Sequence, residues 1–410
     1  MFLLNTENVV DYIKSKTNLI DFNSTPIVTE IGDGANDDDG DGFVNFLFRI
    51  KTQNKSMIVK QARPYLKAID DYSIPVSRNK LEYETLKLRN SIISQYIPNI
   101  YFVDHTNNIF IMEDVAHLNI LRFQLNNMTS FYNFPKQCAE YLATSNFYTS
   151  EFFLDTHIYR NLLSSFVNSE MRKVMENVAF IRGYFGLDYY DAEQDLILMS
   201  DQVWANDKVI LECYKLRDIF MKNCECLIHG DLHTSNIFVG QNEMKIIDME
   251  YTFMGPASFD MGYLLANFIS QYAAASFKPC NDKNETKNFK CFLLSSIKNI
   301  YEYYVYFYNV YWKKDAKDEY KRTSGFKEYL YLNLLHEMLG FASCANISRI
   351  TSFAGFPDFD VIPDLCLKNH ARRLSLVISQ NILLNRTSFN NIDDVIKLII
   401  SIEKTYKSLI

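Results

Sequence analysis

Excess positive charge is absent from this chain: 42 lysines and arginines stand against 49 aspartates and glutamates, a formal net charge of −7 at a pI near 5.6. Without a global basic field, neither nucleic acid nor an anionic membrane surface is recruited electrostatically, and a small-molecule partner fits better. Cysteine pairs at metal-ligand spacing are also missing. The eight cysteines are scattered, and the close pair Cys224 and Cys226 has no second pair at zinc-finger distance, so free thiols in a reducing compartment are expected. The opening MFLLNTENVVDYIK has no basic n-region and no sustained apolar run, which excludes a signal peptide. The longest uncharged stretch, between Asp260 and Lys278, contains Asn267, Ser270 and Gln271, which suits a buried helix rather than a membrane span. Internal repeats and low-complexity linkers are lacking too. These absences leave a folded, cytoplasmic protein that engages neither membrane nor nucleic acid.

What is present is apolar substance. At 410 residues and 48% hydrophobic content, the chain can bury two or more cores.

Its most informative stretch is HGDLHTSNIFVGQNEMKIIDMEYTFMGPASFDMG, from His229 to Gly262. Two short apolar runs, Ile237 to Val239 and Lys245 to Ile247, flank a turn-like Gly240-Gln241-Asn242. If they pair as antiparallel strands, the loop before the first and the loop after the second emerge at one end of the hairpin. Asp231, Asn236, Asp248 and Glu250 then converge. Phosphoryl transfer from a nucleotide needs this set: a carboxylate to orient and deprotonate an attacking hydroxyl, and oxygen ligands for Mg²⁺ on the phosphates. A surface hairpin that merely carried acids would not need H-G-D-x-H-x-x-N-I followed by I-D-x-E.

Upstream, Val9, Val10, Tyr12, Ile13, Leu19 and Ile20 give a helical pattern able to pack outside an N-terminal lobe. A loop with five aspartates between Gly32 and Gly42 then opens into FVNFLFRIK, which alternates as a strand. Three readings compete for the loop. An EF-hand would need its twelfth-position Glu where Phe48 stands, inside the strand; the others are a solvated acidic turn and a glycine-rich flap over a nucleotide, with Gly40 and Gly42 at its turn. The flap is preferred, with contact from backbone N–H groups near Gly42. Ser56 to Lys60 reads as the next strand. The following helix, with Ser77 expected as N-cap, carries Glu82 toward Lys60, the lysine–glutamate pair by which kinase folds hold a cation on the α- and β-phosphates. The competing reading is a surface ion pair between Arg78 and Glu82. Ile100 to Val103 and Ile109 to Glu113 read as strands. Met112-Glu113-Asp114-Val115 then lies where a first lobe passes to a second, with extended backbone suited to reading an adenine edge. From 116 to 225, as after 262, the patterning is mainly helical, with Tyr- and Phe-rich stretches expected as core and a charged connector from Lys313 to Arg322.

HGDLHTSNI and IDMEYTFMGPASFDMGYLLAN resemble the catalytic core of the aminoglycoside phosphotransferase and choline kinase group, and within it most of all the methylthioribose kinases. DGFVNFLFRI, IVKQARPY, Arg78-x-x-x-Glu82, FVNSEMRKVMENVAF, NDKV and GFASCANISRI are similar as well. The resemblance implies an α+β, protein-kinase-like two-lobe fold: an N-terminal antiparallel sheet with a helix (1–114), then a larger, mainly helical catalytic and substrate-binding lobe (115–410). It implies Asp231 as catalytic base, touching the sugar substrate together with Arg349. Asp248, Glu250 and Asn236 are implied as Mg²⁺ ligands. Gly42, Phe43, Asn45, Lys60, Glu82, Glu113, Asp114, Val115, Asp248, Met249 and Glu250 are implied around ATP. The implied reaction is phosphorylation of S-methyl-5-thioribose at its anomeric hydroxyl, a step of methionine salvage, by a homodimer; choline or an aminoglycoside as acceptor, or a nucleotide-binding pseudokinase, are the alternatives. The sequence departs from the family pattern at Phe43, where an Asn is usual, at Ser235-Asn236, at Ser348-Arg349, where two arginines are usual, and in the inserted aspartates.

Overall fold

Period-two alternation sorts the first strands onto two faces and decides which way Lys60 points. The computed structural model describes residues 1–21, 25–32, 44–65, 73–185, 194–280, 282–352 and 357–410; the expected flap at Gly40, Gly42 and Phe43 and its aspartates lie outside them. An antiparallel sheet runs in the order β1 (Ile27–Ile31), β2 (Phe46–Lys51), β3 (Ser56–Gln61), β5 (Ile109–Glu113) and β4 (Ile100–Asp104). Phe48 and Ile50 of β2, Met57 and Val59 of β3, and Ile109 and Ile111 of β5 form one face. They pack against Leu4, Ile20 and the residues Val9, Tyr12 and Ile13 of α1 (Val9–Lys16), a small core of its own. On the other face Ile58, Phe110 and Met112 join Leu86 and Ile93 of α2 (Ser77–Ile93) in the main core. Lys60, two residues beyond Ile58, shares that inner face.

Helix α2 buries Arg78, Glu82, Leu86, Arg89 and Ile93, a spacing that keeps all five on one side. The surface ion pair between Arg78 and Glu82 is thereby overturned, since both are buried with other partners. Ser77 opens the helix rather than capping it. The cap position is Val76, with no side-chain bond, because the first turn starts earlier: Arg78 N–H reaches the Pro75 carbonyl at 3.5 Å and Asn79 N–H reaches that of Val76 at 3.1 Å.

The rest of the chain is mainly helical, with short strands β6 (Asn119–Ile120), β7 (Cys226–Ile228), β8 (Ile237–Val239), β9 (Met244–Ile246) and β10 (Phe253–Gly255). The uncharged stretch after Asp260 is the helix Phe259–Ala275, buried at every residue and packed against the helices Lys283–Asp315, Phe326–Thr351 and Leu365–Asn385. The aromatic stripe of the long helix is core: Tyr304, Tyr308 and Trp312 are buried. That helix runs on through Lys313 and Lys314, and Asp318–Arg322 forms a further short helix, so the charged connector is mostly helical. Among the described residues no helix is long and apolar enough to cross a membrane, and the eight cysteines are free thiols.

Candidate active site

The hairpin forms as expected, with Ile237 opposite Ile246 and Val239 opposite Met244. One further bond, Ile247 N–H to the Asn236 carbonyl at 3.0 Å, extends the ladder to the residue before Asp248. A second pair closes the other side: β7 lies antiparallel to β10, with Ile228 opposite Phe253. The loops 229–236 and 247–252 are therefore each tied at both ends, by β8–β9 and by β7–β10.

The buried helix Phe259–Ala275 holds the first loop from below. Asp260 accepts N–H bonds from His229 at 2.6 Å and Gly230 at 2.9 Å, and Asn267 accepts that of Thr234 at 3.0 Å. Gly230 has φ +83°, and a β-carbon there would lie 2.3 Å from the Tyr251 carbonyl oxygen, so the two loops touch where only glycine fits. His229 accepts the Asp231 N–H on Nδ1 at 3.3 Å and sets Nε2 2.9 Å from the Ile247 carbonyl. These contacts assign the proton to Nε2, and burial lowers the pKa of the ring, which favours its neutral form. The second loop is held by Asn168, which donates to the Glu250 carbonyl at 2.8 Å and the Thr252 carbonyl at 2.9 Å. Asp248 itself has φ +65°, a left-handed conformation that Asp tolerates better than most residues.

Asp231 has its Oδ2 3.5 Å from His233 Nε2. His233 Nδ1 accepts the Ser235 N–H at 3.2 Å, which leaves Nε2 as its donor toward Asp231. Burial would raise the Asp231 carboxyl, but the His233 ring, with Arg349 beyond it, holds it below its ordinary value. The other oxygen, Oδ1, is buried with no hydrogen-bond partner among the described residues. The Arg349 guanidinium bonds the Tyr263 hydroxyl and acts on the Asp231 carboxylate through its charge. Ser348 faces elsewhere. Its hydroxyl bonds the Val178 carbonyl, and a β-carbon on Gly183 would lie 2.5 Å from the Ser348 Cα. Position 348, where the family pattern places an arginine, is thus buried against the segment that carries Gly183.

Lys60 joins the two parts of the chain. Its Nζ lies 2.8 Å from the Glu82 carboxylate and 2.5 Å from Asp248 Oδ1. Burial works against its charge, yet Asp248, Glu82 and Glu250 raise its pKa well above that of a free lysine. The Glu82 carboxyl is pushed up to about 8 by burial, against the pull of Lys60 and with Asp248 and Glu250 adding to the push. Glu82, Asp248 and Glu250 each offer a carboxylate oxygen within 4.8 Å of the others, and Glu250 Oε1 is buried without a hydrogen-bond partner among the described residues. Hard oxygen donors with an open buried atom fit a divalent cation such as Mg²⁺. Asn236 uses its Nδ2 on the Asp231 carbonyl at 3.0 Å, a bond that spends the amide nitrogen and not the oxygen.

Other expected residues are engaged differently. Asn45 lies on Glu250 and Arg78. The Glu113 carboxylate takes the N–H and the side-chain amide of Asn99, each at 3.0 Å, and Asp114 takes Arg49 at 3.1 Å and Ser56 at 2.5 Å. The Val115 carbonyl accepts the Leu118 N–H at 2.9 Å. Met249 is a core residue beside Arg89. Arg78, Asn168, His229, His233, Asp260, Tyr263 and Asn267 carry structural parts of the site that the sequence reading left unassigned. Asp260 had one signal, as a lone acid at the start of an otherwise uncharged run.

A lysine–glutamate pair on an N-terminal sheet, set over an acidic hairpin in a helical lobe, defines a protein-kinase-like phosphotransferase. Comparison with known proteins agrees: the family described as "Phosphotransferase enzyme family" matches residues 190–278. A methylthioribose kinase of Geobacillus sp. (strain WCH70) is 31% identical over 359 residues, 87% of this chain and 87% of the relative. That of Bacillus pumilus (strain SAFR-032) is 27% identical over 396 residues, 96% of each. Among solved structures, a choline kinase from Cryptosporidium parvum Iowa II is 14% identical with a TM-score of 0.49, covering 97% of this chain and 99% of its own. The chain belongs to the methylthioribose kinase family.

Proposed function

We propose that this protein transfers the γ-phosphoryl group of ATP to the anomeric hydroxyl of S-methyl-5-thioribose, giving S-methyl-5-thioribose 1-phosphate in methionine salvage. The observation that carries the reading is the open, buried Asp231 Oδ1 on a loop tied by one hairpin to the Lys60–Asp248–Glu250 cluster. The names of the relatives support the substrate.

In this reading Asp231 accepts the proton of the attacking hydroxyl as the new O–P bond forms, with its charge maintained by His233 and Arg349. Lys60 neutralises phosphate oxygens and is kept charged and in place by Glu82. Asp248, Glu250 and Asn236 would hold Mg²⁺, which when bound supplies charge stabilisation on the phosphate oxygens. Because Glu113 and Asp114 spend their side chains on protein partners, adenine recognition at 113–115 falls to the backbone. Arg349 lies beside the acceptor and opposes a cationic one such as choline. We put the lobe boundary between 114 and 115 and take the working enzyme to be a cytoplasmic homodimer; family resemblance supports these last points.

The test is a coupled ADP-release assay with methylthioribose, choline and an aminoglycoside run side by side. Turnover with methylthioribose alone is expected. Turnover only with choline would overturn the substrate, and intact Mg·ATP binding without turnover on any acceptor would overturn the enzyme reading.

A further inference from the structure

The two oxygens of Glu250 are in different states. Oε2 accepts the Asn45 Nδ2–H at 2.8 Å and the Arg78 Nε–H at 3.1 Å, whereas Oε1 has no hydrogen-bond partner among the described residues. The two donors are themselves locked together, with Arg78 Nη2 on Asn45 Oδ1 at 3.0 Å. Arg78 Nη1 is held by the carbonyls of Arg63 at 3.1 Å and Pro75 at 2.8 Å. Arg78 is fully buried, so this is a closed, preorganised fork and not a surface pair. It also crosses the molecule, since Asn45 and Arg78 belong to the sheet-and-helix part and Glu250 to the hairpin loop.

Resting on the metal–nucleotide reading above, we infer that Asn45 and Arg78 are positioning residues that confine Glu250 to ligation through one oxygen, and so make the site select Mg²⁺ over Ca²⁺. The chemistry is that of coordination number. Ca²⁺ takes six to eight oxygens and gains from a carboxylate that binds through both, whereas Mg²⁺ takes a tight octahedron with one or two carboxylates. With Oε2 occupied by two donors, Glu250 offers the arrangement Mg²⁺ prefers and withholds the one Ca²⁺ exploits. Charge points the same way. Arg78 and Lys60 lie against the carboxyl groups of Glu82, Asp248 and Glu250, so two cations offset most of the negative charge on which a calcium cage depends. Because α2 presents Arg78 and Glu82 on one buried face, the same helix orients Glu250 and Lys60.

The test is calorimetric binding of ADP to wild type, Asn45→Ala and Arg78→Lys, each with Mg²⁺, with Ca²⁺ and with chelator, alongside thermal melting. Wild type is expected to gain more nucleotide affinity from Mg²⁺ than from Ca²⁺. In Asn45→Ala that ratio is expected to fall about tenfold, the loss of one bond to a charged carboxylate; the ratio is the readout, so a change in ADP affinity common to both ions cancels. Arg78→Lys, which cannot reproduce the fork, should lower the ratio at least as far; if it does not fold, Asn45→Ala decides. An unchanged Mg²⁺-to-Ca²⁺ ratio in a folded Asn45→Ala protein overturns the inference while leaving the metal site intact. A wild type whose ADP affinity ignores both ions overturns the metal–nucleotide reading, and this inference with it.

Discussion

Replacing Asp231 by asparagine removes the proposed base and leaves the scaffold in place. The loop is carried by the backbone of Asp231: its carbonyl accepts the Asn236 amide at 3.0 Å and its N–H reaches His229 Nδ1 at 3.3 Å. The carboxylate adds the 3.5 Å approach of His233, a contact that an isosteric amide disturbs little. What disappears is the proton acceptor at Oδ1. General-base catalysis contributes roughly 10²- to 10⁴-fold, so kcat should fall by that range. ATP affinity should persist, because Lys60, Glu82, Asp248 and Glu250 are untouched. The measurement pairs a coupled ADP-release assay at saturating acceptor with calorimetry of a non-hydrolysable ATP analogue. Asp231 is held below its ordinary pKa in the folded protein, so the stability it contributes is present above the ordinary carboxyl value of about 4 and is lost as pH falls through the lowered one. Its base form therefore persists through neutral pH, and wild type should show no acid limb from this group there. A kcat within about threefold of wild type, against the expected effect, would refute the role.

Two further changes probe the supports. Asp260→Ala strips the acceptor from the buried N–H groups of His229 and Gly230; at about 1.5–3 kcal/mol per bond to a charged group, denaturant unfolding should show a loss of roughly 3–6 kcal/mol, and a change under about 1 kcal/mol would contradict the assignment. Gly230→Ala places a β-carbon 2.3 Å from the Tyr251 carbonyl oxygen at φ +83°, in a conformation costing about 1–2 kcal/mol. It should reduce kcat far more than it lowers the melting temperature, because it drives apart the loops that carry Asp231 and Glu250; full activity would show that their separation does not matter.

Much of the fold was legible because local periodicity and burial agree. Alternation predicted β2, the apolar runs predicted β3 and β5, and in the fold the period of two puts Lys60 on the face toward α2. The uncharged run after Asp260 read as a buried helix because its few polar residues are too many for lipid and few enough to be satisfied by neighbours such as Asn346, which accepts the Ser270 hydroxyl at 2.8 Å. The pairing of β7 with β10 was not legible. Each strand is three residues long, too short for a period, and they meet only because β8, β9 and two loops fold back between them. The start of α2 was misplaced for a related reason: Ser77 is a good capping residue by type, but Pro75 and Val76 had already begun the turn.

The acids of the site were legible as types and spacing, and their supports were not. Asp231, Asp248 and Glu250 stand in a short motif whose chemistry has few alternatives, whereas Asn168 and Arg78 come from distant positions and act through hydrogen bonds to the second loop that no local pattern encodes. Arg78 is the instructive case. Its four-residue offset from Glu82 suggests a pair on one helix face, yet burying that face brings Lys60 to Glu82 and Glu250 to Arg78, so each member of the apparent pair is neutralised across the fold. Ser348 makes the converse point. Read as a sequence, it is a lost cation beside Arg349; in the fold it is buried with its hydroxyl on the Val178 carbonyl, while the guanidinium at 349 acts on Asp231 by its charge. A departure from a family pattern therefore bears on chemistry only when the position faces the site, and at 348 it does not.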